Sequence, residues 1–275
     1  MRPNFLMCDP HFYKISYEIN PWMKIENQAS NSLAIEQWNK LVELMRSLGA
    51  KVSIMQGEPH VPDLVFTANA ALIHKHRAYL AHFFHPERQP ETEIYRKWFQ
   101  QNGFETIDVQ NFEGAGDALF SWNDDKNLYA GYGFRSNQNS LYEAFPETTI
   151  HSLQLVDPYF YHLDTCFCPL KNGYNLVYLP AFSTDSIDKI KKTKYIDVCE
   201  EDAKKFACNA VCLGDKIIMP SGCENTYKQL EKLGFEVYHT DMSEFIKAGG
   251  ACKCLTLRLD EFLSWGMNQS KRFDA

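Results

Sequence analysis

The sequence predicts a mixed α/β fold, a five-bladed α/β propeller built from pseudo-fivefold ββαβ repeats, and three observations point to it. An amphipathic helix closed by glycine and followed by a strand occurs three times. Strand pairs joined by turn-forming residues recur between and before these helices. Chemically versatile polar residues return at a near-constant interval, just ahead of the first strand of each unit. Intervals of roughly 20 to 50 residues mark radial or solenoid architectures. An ordinary α+β domain is the alternative that periodicity alone leaves open.

Between Asn31 and Gly49 the apolar residues Ala34, Trp38, Leu41, Met45 and Leu48 step by four and three along one helix face, with glycine at its end. KVSIM is the strand that follows. The same order recurs where ETEIYRKWFQQNG leads into FETIDV and where ENTYKQLEKLG leads into FEVYHT. Hairpins are expected from ALFSW and LYAGY around NDDKN, TCFCPL and YNLVYL around KNG, and AVCL and KIIMP around GD. Each repeat therefore reads as hairpin, helix, strand. Asn69, Glu113, His162, Asn209 and Cys254 stand at the mouths of successive first strands, 44, 49, 47 and 45 residues apart. If five such units close into a ring, these strand ends face one axis and gather the five side chains at one end of it. Residues 1–265 are then a single catalytic domain, and the polar run 266–275 is a tail.

Composition narrows the function. A chain of 275 residues with 45% hydrophobic and 23% charged content can bury a large core, which excludes a disordered segment or a disulfide-stapled miniprotein. The 28 basic residues against 35 acidic ones leave a net charge of −7, which argues against a broad basic face for nucleic acid. MRPNFLMCDPHF never sustains the apolar run of a signal peptide, and no stretch approaches the roughly 20 residues that span a bilayer. No membrane partner is expected. Nine cysteines, an odd number without paired spacing, point to reduced thiols and a cytoplasmic location. Homo-oligomerisation is left open.

Cys254 follows two glycines in KAGGACKCLTLRL, at a junction between a loop and an alternating strand where its sulfur is accessible, and is the candidate nucleophile. Cys8, Cys199, Cys208, Cys212 and Cys223 read as small buried hydrophobes. His162 and Asp164 in FYHLDTCFCPL share one face if they lie in a strand. FEGAGD sets Glu113 and Asp117 around two glycines that permit close approach; a tight turn with solvated acids is the plainer alternative. Cys166, Cys168, Cys252 and Cys254 form two C-x-C pairs that could enclose zinc, although their spacing is tighter than the usual two to four residues. His74 and His76 alternate along a hairpin and read as solvent-facing.

Taken together, FTAN, FEGAGD, YHLDTCF and GGACKCLTL, in this order and spacing, resemble the guanidino-group-modifying superfamily of arginine deiminases, dimethylarginine hydrolases and amidinotransferases. The resemblance spans the whole chain. FLMCDPHFYKISYEINPWM, FTANAAL, HPERQ, AGYGFRS and FYHLDTCFCPL look most like the arginine dihydrolases first recognised in cyanobacteria, in which a second domain follows; none is expected in these 275 residues. The resemblance implies that Cys254 is the nucleophile, His162 the general acid and base, Glu113 the carboxylate orienting that histidine, and Asp164 the guanidinium-binding carboxylate. It places Asn20 and Asn69 along the substrate's head group and Arg88 and Arg135 on its α-carboxylate. The implied substrate is L-arginine and the product L-ornithine, with neither a metal nor an organic cofactor required. Position 69 separates the members: deiminases typically carry aspartate there, whereas Asn69 is uncharged and both donates and accepts. Retention and further hydrolysis of a citrulline intermediate is the expected consequence. A one-step deiminase or a dimethylarginine hydrolase giving citrulline is the alternative within the family. An arginine-binding protein without catalysis is the alternative outside it, although binding alone would not require the nucleophile.

Overall fold

The computed structural model describes residues 2–262, so the expected tail 266–275 lies outside the described residues. Among the described residues the strands make five sheets of three, and one of them joins the first strand to the last. In that sheet β1 (Asn4–Cys8) runs parallel to β2 (Lys51–Met55) and antiparallel to β15 (Leu257–Arg258). The others follow in chain order. They are β3 (Ala71–His74), β4 (Arg77–Leu80) and β5 (Glu105–Asp108); then β6 (Ala118–Ser121), β7 (Asp124–Tyr132) and β8 (Thr149–Gln154). Next come β9 (Phe167–Pro169), β10 (Tyr174–Val177) and β11 (Lys194–Asp197), then β12 (Val211–Leu213), β13 (Lys216–Pro220) and β14 (Glu236–Thr240). In every sheet the central strand is antiparallel to one neighbour and parallel to the other.

A parallel pair needs a crossover, and helices supply it in four units. These are α1 (Asn31–Ser47), α2 (Glu91–Gln101), α3 (Thr184–Ile190) and α4 (Glu224–Lys232). Ala34, Trp38, Leu41 and Met45 are buried along α1, packing with Val52 and Phe245. Leu48 is only partly buried, at the helix end. Gly49, Gly103 and Gly234 close three of the helices in the left-handed conformation that satisfies terminal carbonyls.

The unit of β6, β7 and β8 departs from the expected repeat, because residues 133–148 cross in turns without an α-helix. GFRSNQNSLYEAFPET has apolar residues at helical spacing only in Leu141, Ala144 and Phe145, and it anchors itself through buried Leu141 and Phe145. This connection also carries Arg135 and Ser136 inward, both of them buried. His74 departs from expectation too. The turn at Lys75 and His76, both at positive φ, directs the His74 ring onto Phe120 at 5.3 Å, with Nε2 3.3 Å from Asp125. It is not solvent-facing.

Residues of all five first strands, Ile73, Leu119, Phe167, Cys212 and Leu257 among them, line one cavity of about 680 Å³ that reaches Asp164. Among the described residues no helix is long and apolar enough to cross a membrane.

Candidate active site

The polar residues flagged by periodicity stand in tight turns one step before the first strands. Short 3₁₀ turns at Thr67–Asn69, Gly114–Gly116 and Leu163–Thr165 lead into β3, β6 and β9, and further turns lead into β12 and β15. This corrects two expectations. His162 and Asp164 do not share a strand face: His162 precedes the turn and Asp164 lies inside it. The alternating strand after Cys254 shrinks to Leu257–Arg258, with Cys254 in the turn ahead of it.

His162 Nε2 lies 2.7 Å from Glu113 Oε2, and its Nδ1 lies 3.4 Å from Asn69 Nδ2. The direction of the second contact follows from the third: Asn69 Oδ1 accepts from Arg88 Nη1 at 3.0 Å, so the amide nitrogen must face the histidine. Neutral His162 thus carries its proton on Nε2 and presents a lone pair at Nδ1. Glu113 Oε1 also accepts from the Phe84 amide at 2.9 Å, and Oε2 lies 3.4 Å from Arg135 Nη1. Burial pushes the Glu113 carboxyl up, but Arg135, the His162 contact and Arg88 outweigh it and hold it well below the usual carboxylate range.

A further layer holds this pair in place. Asp117 accepts from Ser136 Oγ at 2.6 Å and from the Leu163 amide at 3.0 Å, and Ser136 Oγ accepts from the Glu113 amide at 3.0 Å. Asp117 therefore pins the backbone beside both Glu113 and His162. The glycines of FEGAGD are required by close approach: a Cβ at 114 would sit 2.7 Å from the Asn69 carbonyl, and one at 116 would overlap Asn69 Nδ2. Gly116→Ala is expected to lower stability by about 1–3 kcal/mol through overpacking and to cut turnover more than substrate binding, because Asn69 is displaced from His162. Thermal unfolding beside steady-state kinetics checks it.

The second group surrounds Cys254. Its Sγ lies 3.5 and 3.7 Å from the Asp164 carboxylate oxygens and accepts from Asn209 Nδ2 at 3.0 Å. Burial pushes the thiol well up, and the Asp164 charge adds to it. Burial also pushes Asp164 up to about 7, against the pull of Lys253 and of hydrogen bonds from Cys254 and Asn209. A cation placed between them favours both ionised forms. The Ala68 amide donates to the Cys254 carbonyl at 3.1 Å, joining this group to the turn of Asn69.

The remaining candidates are placed differently. Arg88 is clamped by Glu91 through two contacts of 2.8 Å and also donates to the Asp63 carbonyl at 3.3 Å. With Asn69 accepting a fourth bond, one Nη1 hydrogen is left over among the described residues. Arg135 donates to the Ile19 carbonyl at 2.9 Å and lies 4.6 Å over the Tyr161 ring. Asn20 fastens its own loop: it donates to the Ala248 carbonyl at 3.1 Å and accepts from the amides of Trp22 and Met23. The cysteines of the zinc reading take separate partners. Cys166 faces the carbonyls of His162 and Leu163, Cys168 faces Cys212 at 3.6 Å, and Cys254 faces Asn209 and Asp164. Among the described residues no group of three or more His, Cys, Asp or Glu is arranged to hold a metal ion.

Glu91, Ser136 and the hydrogen-bonding role of Asn209 escaped the sequence reading. Only Asn209 left a signal, its place in the 44-to-49-residue period.

The family model described as "N,N dimethylarginine dimethylhydrolase, eukaryotic" matches residues 8–260, and the chain belongs to that family, within the guanidino-group-modifying superfamily. Among its relatives is the bifunctional arginine dihydrolase/ornithine cyclodeaminase ArgZ of Synechocystis, 45% identical over 266 residues, which cover 93% of this chain and 37% of that one. The chain thus spans less than two-fifths of that bifunctional relative. The crystal structure of the N-terminal domain of ArgZ covalently bound to a reaction intermediate superposes with a TM-score of 0.90 at 44% identity, covering 94% of this chain and 98% of that one. An N(G),N(G)-dimethylarginine dimethylaminohydrolase of Mycobacterium tuberculosis is 35% identical, covering 93% of this chain and 85% of that one.

Proposed function

We propose that this chain is a cytoplasmic, cysteine-dependent arginine dihydrolase, converting L-arginine and two waters to L-ornithine, two ammonia and carbon dioxide. We further propose that residues 1–265 form one catalytic domain, a five-bladed propeller whose ring is closed by the pairing of β1 with β15. The cavity lined by all five first strands supports the ring. The observation that carries the function is Asn69. It is an uncharged amide, turned by Arg88 so that its nitrogen faces His162 Nδ1.

The chemistry follows from the two groups. A guanidinium carbon is a weak electrophile, its charge spread over three nitrogens, so attack needs a strong nucleophile held in line. The arginine cation beside Asp164 draws the Cys254 thiol toward thiolate. Sγ attacks as His162 Nδ1 takes up the thiol proton; the imidazolium, stabilised by Glu113, passes that proton to the departing ammonia, and a covalent thiouronium remains. His162 Nδ1 then takes a proton from the water that resolves it and returns it to the Cys254 thiolate as the sulfur leaves. Citrulline is the product of this first round. Its ureido oxygen can accept from the Asn69 amide, which holds it for a second attack by Cys254, loss of the second ammonia, and hydrolysis to a carbamate that releases carbon dioxide. Arg135 and the spare Nη1 hydrogen of Arg88 serve the α-carboxylate, and Asn20 secures the loop along the head group. No step calls for a metal or an organic cofactor.

The test is stoichiometry. Two ammonia per ornithine from arginine, with no lasting citrulline, is the expected result. One ammonia per citrulline would replace the reading with a one-step deiminase, and dimethylamine from dimethylarginine would replace it with the methylarginine hydrolase.

A further inference from the structure

We infer that Asn209 is a positioning residue for the nucleophile, holding the Cys254 sulfur with its amide nitrogen while its carbonyl oxygen clamps the backbone that carries that sulfur. The inference rests on the proposed role of Cys254. Asn209 is fully buried, and every hydrogen-bonding site of its side chain is used. Oδ1 accepts from the Ala251 amide at 3.1 Å and the Cys254 amide at 3.0 Å. Nδ2 donates to Cys254 Sγ at 3.0 Å and to the Asp164 carbonyl at 3.0 Å. Two donors and two acceptors are the full capacity of a carboxamide.

The orientation of the amide is not arbitrary. Flipping it would set NH₂ against two backbone N–H donors and leave the sulfur and the Asp164 carbonyl facing an oxygen. No other short side chain does the same: serine lacks the second donor, and aspartate lacks both. Asn209 thereby ties the sulfur, the turn beneath it and the turn holding Asp164 into one unit. A hydrogen bond to a charged acceptor is stronger than one to a neutral acceptor, so the N–H to Sγ favours thiolate over thiol.

The test uses Asn209→Asp and Asn209→Ala in the full chain. Asn209→Asp keeps both acceptor positions for the amides of 251 and 254 and replaces the donor to sulfur with negative charge. Folding is checked by thermal unfolding, arginine turnover by steady-state kinetics, and thiolate formation by iodoacetamide alkylation of Cys254 against pH, located by peptide mapping. The expected result is a kcat lower by on the order of 10²-fold with KM changed less than about threefold, and an alkylation midpoint raised by about one to two pH units, more in Asp than in Ala. An unmoved midpoint in a folded variant overturns the inference, whether or not kcat falls, because a merely structural staple would not shift the thiol. If Asn209→Ala does not fold, Asn209→Asp carries the same test. Ammonia release by the unsubstituted chain is measured alongside. Its absence would sink the dihydrolase reading, while the alkylation midpoint still decides the role of Asn209.

Discussion

Cys254→Ala is expected to abolish ammonia release from arginine, with turnover down by at least about 10³- to 10⁴-fold, while the protein still binds arginine. The asymmetry follows from the division of labour. Asp164, buried beside the sulfur, is the carboxylate proposed to pair with the guanidinium, and it remains in the variant. Removing the sulfur deletes the proposed nucleophile and leaves one Asn209 N–H without its partner, a loss of about 1–3 kcal/mol in stability. Binding in this variant should carry a diagnostic pH dependence. Burial pushes the Asp164 carboxyl up to about 7 in the unsubstituted chain, and losing the Cys254 hydrogen bond pushes it further up, so the empty site of the variant holds a proton that the cation must displace. Arginine affinity is therefore expected to weaken by about tenfold per pH unit once the pH falls below the raised Asp164 value and to level off above it. Calorimetry from pH 5 to pH 9 reads both quantities. Residual turnover near the unsubstituted rate would show that the nucleophile is misassigned, and pH-independent binding would remove Asp164 from the guanidinium site.

What was legible in the sequence is what the chain encodes locally. Helix faces with glycine stops and hairpins with short turns are short-range patterns, and the structure contains them where ETEIYRKWFQQ and KIIMP were read. The period of the polar residues was legible because each precedes an equivalent strand. The bonds made at that convergence were not. The period gathers Asn209 and Cys254 at one end of the axis, but it does not tell that the Asn209 amide bonds the sulfur across 45 residues. Arg88 and Glu91 are an i, i+3 pair that looks like a solvent-exposed ion pair, yet both are buried, with Asn69 as the third member. The turns at His162 and Asp164 misled the alternation rule for a related reason. A 3₁₀ turn directs neighbouring side chains inward by curling the backbone, so strand spacing was the wrong geometry for a correct convergence.

Asn69→Asp is expected to make citrulline the main product of arginine, lowering ammonia from two to one per arginine and cutting turnover of added citrulline by on the order of 10²-fold. Three contacts lead to this outcome. Arg88 Nη1, now 3.0 Å from an amide oxygen, would face a carboxylate and bind it more tightly, so the variant folds with its buried charges paired. The opposite face loses its donor: an aspartate cannot give a hydrogen to His162 Nδ1, and the favourable arrangement becomes imidazolium between Glu113 and the new carboxylate. Arginine tolerates that change, because its guanidinium is a cation that pairs with the added charge. Citrulline does not, because its neutral ureido oxygen meets negative charge where the amide offered a hydrogen bond, a difference of about 1–3 kcal/mol in a buried site. The ureido carbon is also the weaker electrophile of the two, so the second attack has the least reserve against losing an oriented partner. Chromatographic separation of arginine, citrulline and ornithine over time gives the answer directly. An unchanged yield of ornithine would mean that the amide at position 69 does not select for the second hydrolysis, and the determinant would then have to be sought in how Arg88 and Glu91 hold the turn rather than in what Asn69 presents to the ligand.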